Sequence, residues 1–408
     1  MKIIVIGSLA AGMGAARRIS GDAGADITVY ERGSFYSCGA CGLPHFLKAP
    51  LDELKAAIRY KEDTMNQEGI HAYLRHEVTH IDAMRHEITV MDLNENRTFT
   101  DRYDKLIVAT GNRVLIPDVP GAKRIGVQTL KSVEDLLFLK EYTKTPYVRD
   151  IVILGGSYSG IEIAKVFLEM GRNVRIIEKE AHLLPDFDPE ISDAIRKELE
   201  GQGAVINTGE NVTEFPGQTF IERVKTNRGT YDCDLCISAI GVVPETGLLH
   251  EAGAELYGNT AVLVSDDFET SLKDVYAVGN CTLNRAGSLR TSSLRTHNFE
   301  VARTGLTERE AVGAGLRVKS VIRTAFDRPG IVPNPRKVTL KLIYEASSNQ
   351  LVGAEGYGEK NVSSRINALA VAISAGMKAH DLSKVDFCYS SGSCSIWDPI
   401  QVAAEAAV

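Results

Sequence analysis

The 408-residue chain lacks the marks of several large functional classes. Its formal net charge is −7, which argues against a basic nucleic-acid surface. No apolar run approaches the roughly 20 residues of a membrane-spanning helix. Met1 leads straight into a first apolar strand and leaves no room for a signal peptide, so a cytoplasmic location is expected. Seven cysteines are an odd number, and they follow no secreted disulfide spacing. In a reducing compartment a close cysteine pair is catalytic or metal-binding more often than structural. No zinc-ligand set is read among them, and no metal site is expected. What the chain does have is 44% hydrophobic residues, enough for a sizeable core, and length for two or three domains of roughly 100–200 residues each.

Two copies of one phosphate-binding device stand out. The first reads KIIVIGSLAAGMGAA, with Gly7, Ala11 and Gly12, and the next strand closes on Glu31. The second reads RDIVILGGSYSGIEIA, with Gly155, Gly156, Ser157 and Gly160, and the next strand closes on Glu178. Each places an apolar strand before a tight turn and a helix after it. Small residues let such a turn approach a pyrophosphate, whose charge the helix N-terminus stabilises. The carboxylate follows Gly7 by 24 residues and Gly155 by 23, the spacing that brings it to a ribose hydroxyl. Cys38-Gly-Ala-Cys41 lies beside the first device. Two nucleotides exchanging electrons with a thiol are the chemistry this combination suggests.

Strands are expected over 2–7 and 26–31 around a helix near 11–20, then a helix over 51–68. Alternating stretches near 70–74, 78–82, 86–92 and 97–100 read as one small antiparallel layer. The second unit repeats the strand–helix–strand pattern, with a further helix near 189–202 and a meander over 204–232. DVYAVGN (274–280) is another strand. Beyond about 306, KVTLKLIYE and LVGAEGYG pair as strands before an amphipathic helix over 361–376, the order of a separate α+β domain.

These motifs together resemble the single-cysteine branch of the FAD-dependent pyridine nucleotide–disulfide oxidoreductases, which includes coenzyme A-disulfide reductases, NADH oxidases and persulfide reductases. GSLAAGMGAA is similar to the family's FAD turn, SCGACGLPHF to its reactive-cysteine segment, IVATGNRVLIPDVPG to its crossover and VYAVGN to its second flavin motif. RTGLTEREA, KLIYE and SSRINALAVAISAGM through WDPI resemble the dimerisation domain. The resemblance implies an α/β fold with two Rossmann-like nucleotide domains and a C-terminal α+β dimerisation domain. The expected boundaries are 1–111 with 241–305 for FAD, 112–240 for NAD(P) and 306–408 for dimerisation. It implies flavin or nicotinamide contacts at Arg32, Thr110, Gly111, Gly241, Gly279, Asn280 and Glu162 besides the two turns and their carboxylates. It implies a homodimer in which Tyr389 completes the partner's cysteine site.

Several positions depart from the family pattern. Ser157 replaces a glycine. Asn280 replaces an aspartate, leaving a neutral acceptor. Val243 and Glu245 stand where arginine and asparagine are usual, and the chain from Cys281 to Thr304 is shortened. Ala10 stands where water-forming NADH oxidases and NADH peroxidases carry a histidine, so a disulfide or persulfide is favoured over oxygen as acceptor.

Cys41 is the expected nucleophile, because a sulfur at a helix N-terminus has a lowered pKa and Gly-Leu-Pro44 reads as a helix start. Cys38 completes a C-x-x-C and is either its resolving partner or a bystander, since spacing alone does not fix sulfur geometry. His45 is either a proton donor beside the thiolate or a packing histidine. Cys233 and Cys236 fall in a strand-like run, where residues three apart face opposite ways, and read as core residues. Cys281, Cys388 and Cys394 read as bystanders, with the family placing the Cys394 segment near the partner's nucleophile. Glu178 favours NADH over NADPH by repelling a 2′-phosphate. Arg18 and Ser37 give partial support for a coenzyme A pocket. The expected activity is NAD(P)H-dependent reduction, through FAD and Cys41, of a small disulfide or persulfide. Alternatives are an NADH oxidase or diaphorase using oxygen or quinones, and a weakly catalytic flavoprotein that senses redox state or binds a partner.

Overall fold

Runs of valine and isoleucine bounded by glycine form the buried strands that organise both halves of the molecule. The computed structural model describes residues 1–21, 24–36, 39, 42–258, 260–282, 288–392 and 394–407, with side chains 59–61 and 66 also outside the description. Ser37, Cys38 and Cys41 therefore lie outside the described residues. The chain divides into two units, one formed by 1–118, 122–148 and 237–284, the other by 119–121, 149–236 and 285–408.

The first unit is built on a five-stranded parallel sheet, in the order Val275–Ala277, Lys105–Val108, Lys2–Ile6, Asp26–Glu31, Ile70–Leu74. Ile3, Ile4 and Val5 are buried on both faces, as a parallel strand requires. Helix Ala10–Ser20 returns the chain from the first strand to the second and buries Gly12, Met13 and Ala16. Helix Leu51–Gln67 precedes the fifth strand. The expected four-strand antiparallel layer is corrected here. Ile70–Leu74 joins the parallel sheet instead, pairing residue for residue with Ile27–Glu31. Only His76–Asp82, Glu87–Asp92 and Arg97–Arg102 form the antiparallel sheet. Arg75, at φ +55°, breaks the chain between the two roles.

The second unit carries its own parallel ladder, Asp150–Leu154, Asn173–Glu178 and Val205–Thr208, with helices Tyr158–Glu169 and Pro189–Gly201. A three-stranded antiparallel sheet joins Val212–Glu214, Arg223–Thr226 and Thr230–Asp232. Its C-terminal part is a five-stranded antiparallel sheet, ordered Ser292–Arg295, Glu300–Gly305, Leu351–Gly358, Lys337–Glu345, Val318–Phe326. Helices Val362–Ser374 and Pro399–Glu405 bring apolar residues to the core of that sheet, with Ile366, Leu369, Ile400 and Ala403 among them. Among the described residues, no helix is long and apolar enough to cross a membrane.

Candidate active site

The first glycine turn is shaped by close approach. Gly7 has φ +96°, and a Cβ there would lie 2.5 Å from the Ala109 carbonyl oxygen. A Cβ on Gly12 would lie 1.9 Å from the Gly7 oxygen, so helix Ala10–Ser20 packs directly on the turn. A Cβ on Gly279 would meet Ala11 at 2.6 Å, bringing a third segment against the same helix start. Leu9 supplies no side-chain cap, and the first helical turn carries no acid. The positive end of the helix is thus left for an anion.

Glu31 fixes the turn. Its carboxylate accepts Ser8 N–H at 2.8 Å, the Ser8 hydroxyl at 3.0 Å and Gly33 N–H at 2.8 Å. Gly7, Glu31, Arg32, Ala109, Thr110 and Asn112 line a cavity of about 710 Å³, large enough for a sizeable ligand. The Asn112 Oδ1 is buried and has no hydrogen-bond partner, an acceptor awaiting a donor in the cavity wall. The donor-rich turn, the missing side chains and this acceptor fit a dinucleotide such as FAD. Thr110 donates its hydroxyl to Glu245 O at 2.6 Å, and Glu245 N–H returns to Gly111 O at 2.9 Å. Gly111 at φ +71° and Gly241 at φ +124° shape the paired short strands Asn112–Val114 and Val242–Pro244. Arg32 is largely exposed at the cavity rim, 4.0 Å from Glu77. Asn280 is exposed and does not line this cavity.

Tyr36 and Leu43, which flank the cysteine segment in sequence, both line the cavity. The helix expected behind Cys41 is a single turn, Leu43–Phe46, so its dipole offers a thiol little stabilisation. His45 is exposed and its ring meets Phe46 edge-on at 5.5 Å. Lys140 was not legible in the sequence as part of this region. Its ammonium donates to the carbonyls of Phe46, Leu47 and Ala49 at 2.8, 3.1 and 2.6 Å, anchoring the chain that follows the cysteines. Burial pushes the Lys140 pKa down. Arg18 is exposed on helix Ala10–Ser20. Its neighbour Arg17, with Ala10, Met13, Tyr36 and Met65, lines a second cavity of about 200 Å³.

The second unit repeats the turn with the same logic. Gly155, at φ +98°, donates to Ile177 O at 2.8 Å, as Gly7 donates to Tyr30 O at 2.8 Å. Glu178, 6% exposed, accepts Gly156 N–H at 2.6 Å and Glu180 N–H at 2.8 Å. A Cβ on Gly156 would lie 2.4 Å from Leu183 Cδ2. Ser157 is at φ −77°, an ordinary extended conformation, and its hydroxyl accepts Gly160 N–H at 3.5 Å as the helix cap. The departure from glycine there therefore costs no strain. Glu162 is half-buried, and desolvation pushes its pKa up, opposed by Lys165.

The remaining cysteines separate clearly. Cys236 is wholly buried, and desolvation and then the adjoining Cys233 push its thiol up. The expected opposite-facing pair is corrected: Cys233 precedes strand Leu235–Ser238, so strand alternation does not separate the two. Cys281 is buried and its thiol donates to Val278 O at 3.3 Å. Cys388 and Cys394 lie together in the C-terminal segment, beside an exposed Tyr389.

The comparisons agree with this geometry. Residues 1–325 match the pyridine nucleotide-disulphide oxidoreductase family and residues 292–393 its dimerisation domain. The NAD(P)H sulfur oxidoreductase (CoA-dependent) of Pyrococcus furiosus is 28% identical, over 99% of this chain and 98% of its own. The NADH oxidase of Enterococcus faecalis is 25% identical, over 100% and 99%. The solved NAD-dependent persulfide reductase from A. fulgidus superposes with a TM-score of 0.94 at 28% identity, covering 100% of this chain and 83% of that one. The reduced CoADR-RHD of Bacillus anthracis gives 0.95 at 25% identity, with 100% and 80% covered. Two nucleotide-type turns ahead of a dimerisation domain, and a family match across both, establish that this chain is an NAD(P)H-dependent flavin oxidoreductase of the pyridine nucleotide-disulphide oxidoreductase family.

Proposed function

We propose that the protein uses NADH in preference to NADPH and reduces a small disulfide or persulfide at Cys41. The observation that carries this reading is the cavity around Gly7, Glu31 and Asn112, whose wall includes Tyr36 and Leu43 on either side of the cysteine segment. FAD bound there would take a hydride equivalent from the nicotinamide and deliver two electrons to sulfur. The chain supplies position. Glu31 locks the turn that faces the pyrophosphate, Asn112 offers an acceptor, and Gly279 permits contact with Ala11. Glu178 locks the nicotinamide turn, and its carboxylate disfavours a 2′-phosphate. Glu162 follows the nicotinamide turn on helix Tyr158–Glu169, where burial raises its pKa and Lys165 opposes the rise.

At the sulfur, the Cys41 thiolate attacks one sulfur of the substrate disulfide. The substrate S–S bond breaks, one thiolate leaves and takes a proton, and a mixed disulfide remains. Cys38 then attacks the Cys41 sulfur and releases the second thiol, leaving a Cys38–Cys41 disulfide that the two electrons reopen. The C-terminal domain supports a homodimer, with Tyr389, 57% exposed, as the residue offered to the partner's site.

A second reading rests on the full-length likeness to an NADH oxidase, with oxygen as acceptor. Anaerobic stopped-flow separates the two. NADH should bleach the flavin, and coenzyme A disulfide or a persulfide should restore its colour faster than oxygen, peroxide or a quinone. Faster recovery with oxygen selects the oxidase.

A further inference from the structure

The C-terminal segment holds two thiols that the activity above does not use. Cys388 Sγ and Cys394 Sγ are 3.8 Å apart, neither of them in a disulfide. The loop between them is closed by Cys394 N–H donating to Ser390 O at 2.7 Å. Both ends of the loop are anchored. On one side Gln401 donates its amide to Ser383 O at 3.3 Å and Val385 O at 3.1 Å. On the other, Asp398 caps helix Pro399–Glu405 and receives Arg365 through Nε at 3.1 Å and Nη2 at 2.8 Å. The two sulfurs therefore face each other across the neck of a tethered loop. An S–S bond needs them to close by about 1.8 Å, a movement within reach of side-chain rotation.

We propose that Cys388 and Cys394 form a second dithiol–disulfide site, oxidised by low-molecular-weight disulfides. In the single chain Cys388 is exposed and Cys394 partly exposed, and in the proposed homodimer they stand beside Tyr389, where a small S–S compound entering the partner's site would meet them. Hydrogen bonding to Cys394 and the Coulombic effect of that neighbour push the Cys388 thiol up, so Cys388 is the poorer first nucleophile and the first attack is assigned to Cys394. Cys394 attacks one sulfur of the incoming disulfide. The incoming S–S bond breaks, a new bond joins Cys394 to one half, and the other half leaves as a thiolate and is protonated. Cys388 then loses its proton, attacks Cys394 Sγ and expels the second thiol. The protein dithiol loses two electrons and two protons, and the small disulfide becomes two thiols. Among the described residues no cluster of three or more His, Cys, Asp or Glu gathers a metal, so a dithiol and not a metal-ligand set is the chemistry the pair provides. The site draws on no residue of the flavin cavity; only its approach beside Tyr389 rests on the homodimer proposed above, and its test reads the Cys388–Cys394 peptide alone, so it can fail without that function failing.

The intact flavoprotein is equilibrated with mixtures of glutathione and glutathione disulfide, quenched with acid, alkylated and cleaved with trypsin. Cleavage after Lys384 releases residues 385–408, which contain Cys388 and Cys394 and no other cysteine. As the oxidised fraction rises, this peptide should lose two hydrogens and refuse the alkylating agent. At about 0.1 mM glutathione the neighbouring thiol should outcompete a second glutathione by roughly tenfold. Cys388→Ser should instead hold one glutathione on Cys394. A wild-type peptide that carries two alkyl groups or two glutathiones under excess glutathione disulfide overturns the proposal. So does a Cys388→Ser peptide that takes no glutathione.

Discussion

The Glu178 carboxylate accepts the backbone N–H of Gly156 at 2.6 Å, and it is the second unit's counterpart of Glu31 holding Ser8 N–H at 2.8 Å. In both units a strand-ending acid pins the glycine turn of the strand before it. Removing the acid leaves buried N–H groups without an acceptor. Glu178→Ala should destabilise the protein by about 1–3 kcal/mol and raise the NADH KM. Glu178→Gln should narrow the NADH-over-NADPH ratio in kcat/KM. Denaturation midpoints and steady-state kinetics with both nucleotides check the two effects separately.

Gly12 and Gly14 sit two residues apart on helix Ala10–Ser20 and should behave oppositely. A Cβ on Gly12 would lie 1.9 Å from the Gly7 oxygen, whereas a Cβ on Gly14 meets nothing within 4 Å. Gly12→Ala should cost about 1–3 kcal/mol of overpacking at the flavin turn and release bound flavin. Gly14→Ala should leave flavin content unchanged and add about 0.5–1 kcal/mol of helix stability. The ratio of flavin to protein absorbance after dialysis, with a thermal melt, reads both.

Buried charge in the second unit predicts a pH dependence. Lys341, 2% exposed, reaches Asp188 at 2.9 Å, Glu190 at 3.3 Å and Glu308 at 3.4 Å. Glu355, 1% exposed, accepts Asp188 N–H at 3.1 Å. Burial, and then the charge of Asp188, push the Glu355 carboxyl up from 4.5 to about 8. Between those values the folded chain holds a proton that the unfolded chain has released. Stability should therefore fall as pH rises through this window, with a slope of at most about 1.4 kcal/mol per pH unit from this group. Glu355→Gln should flatten that slope. Urea midpoints from about pH 5.5 to about pH 7.5 test it.

Much of this architecture was legible because local pattern and global fold agree. Ile3 to Ile6, Gly7, Gly12 and Glu31 each announce the same strand–turn–helix–strand, and the structure places them so. The second copy at Gly155 and Glu178 follows the same rule. Ile70–Leu74 misled, because its alternation resembles an antiparallel strand while its pairing is decided by distant Asp26–Glu31. Lys140 and Asn112 carried no signal. Their importance comes from carbonyls and a cavity wall that only tertiary structure assembles. The Cys388–Cys394 approach was equally hidden, since a six-residue spacing says nothing of sulfur geometry until the loop ends are anchored. Cys38 and Cys41 lie outside the described residues, and their roles are read from the sequence.

The proposed electron path ends at Cys41, and one comparison tests it most directly: wild type against Cys41→Ser, mixed anaerobically with NADH and then with coenzyme A disulfide or a persulfide. Flavin bleaching by NADH should be retained in the variant, while recovery of colour on adding the sulfur substrate should be lost. Sulfur-dependent recovery at the wild-type rate in Cys41→Ser would contradict the assignment.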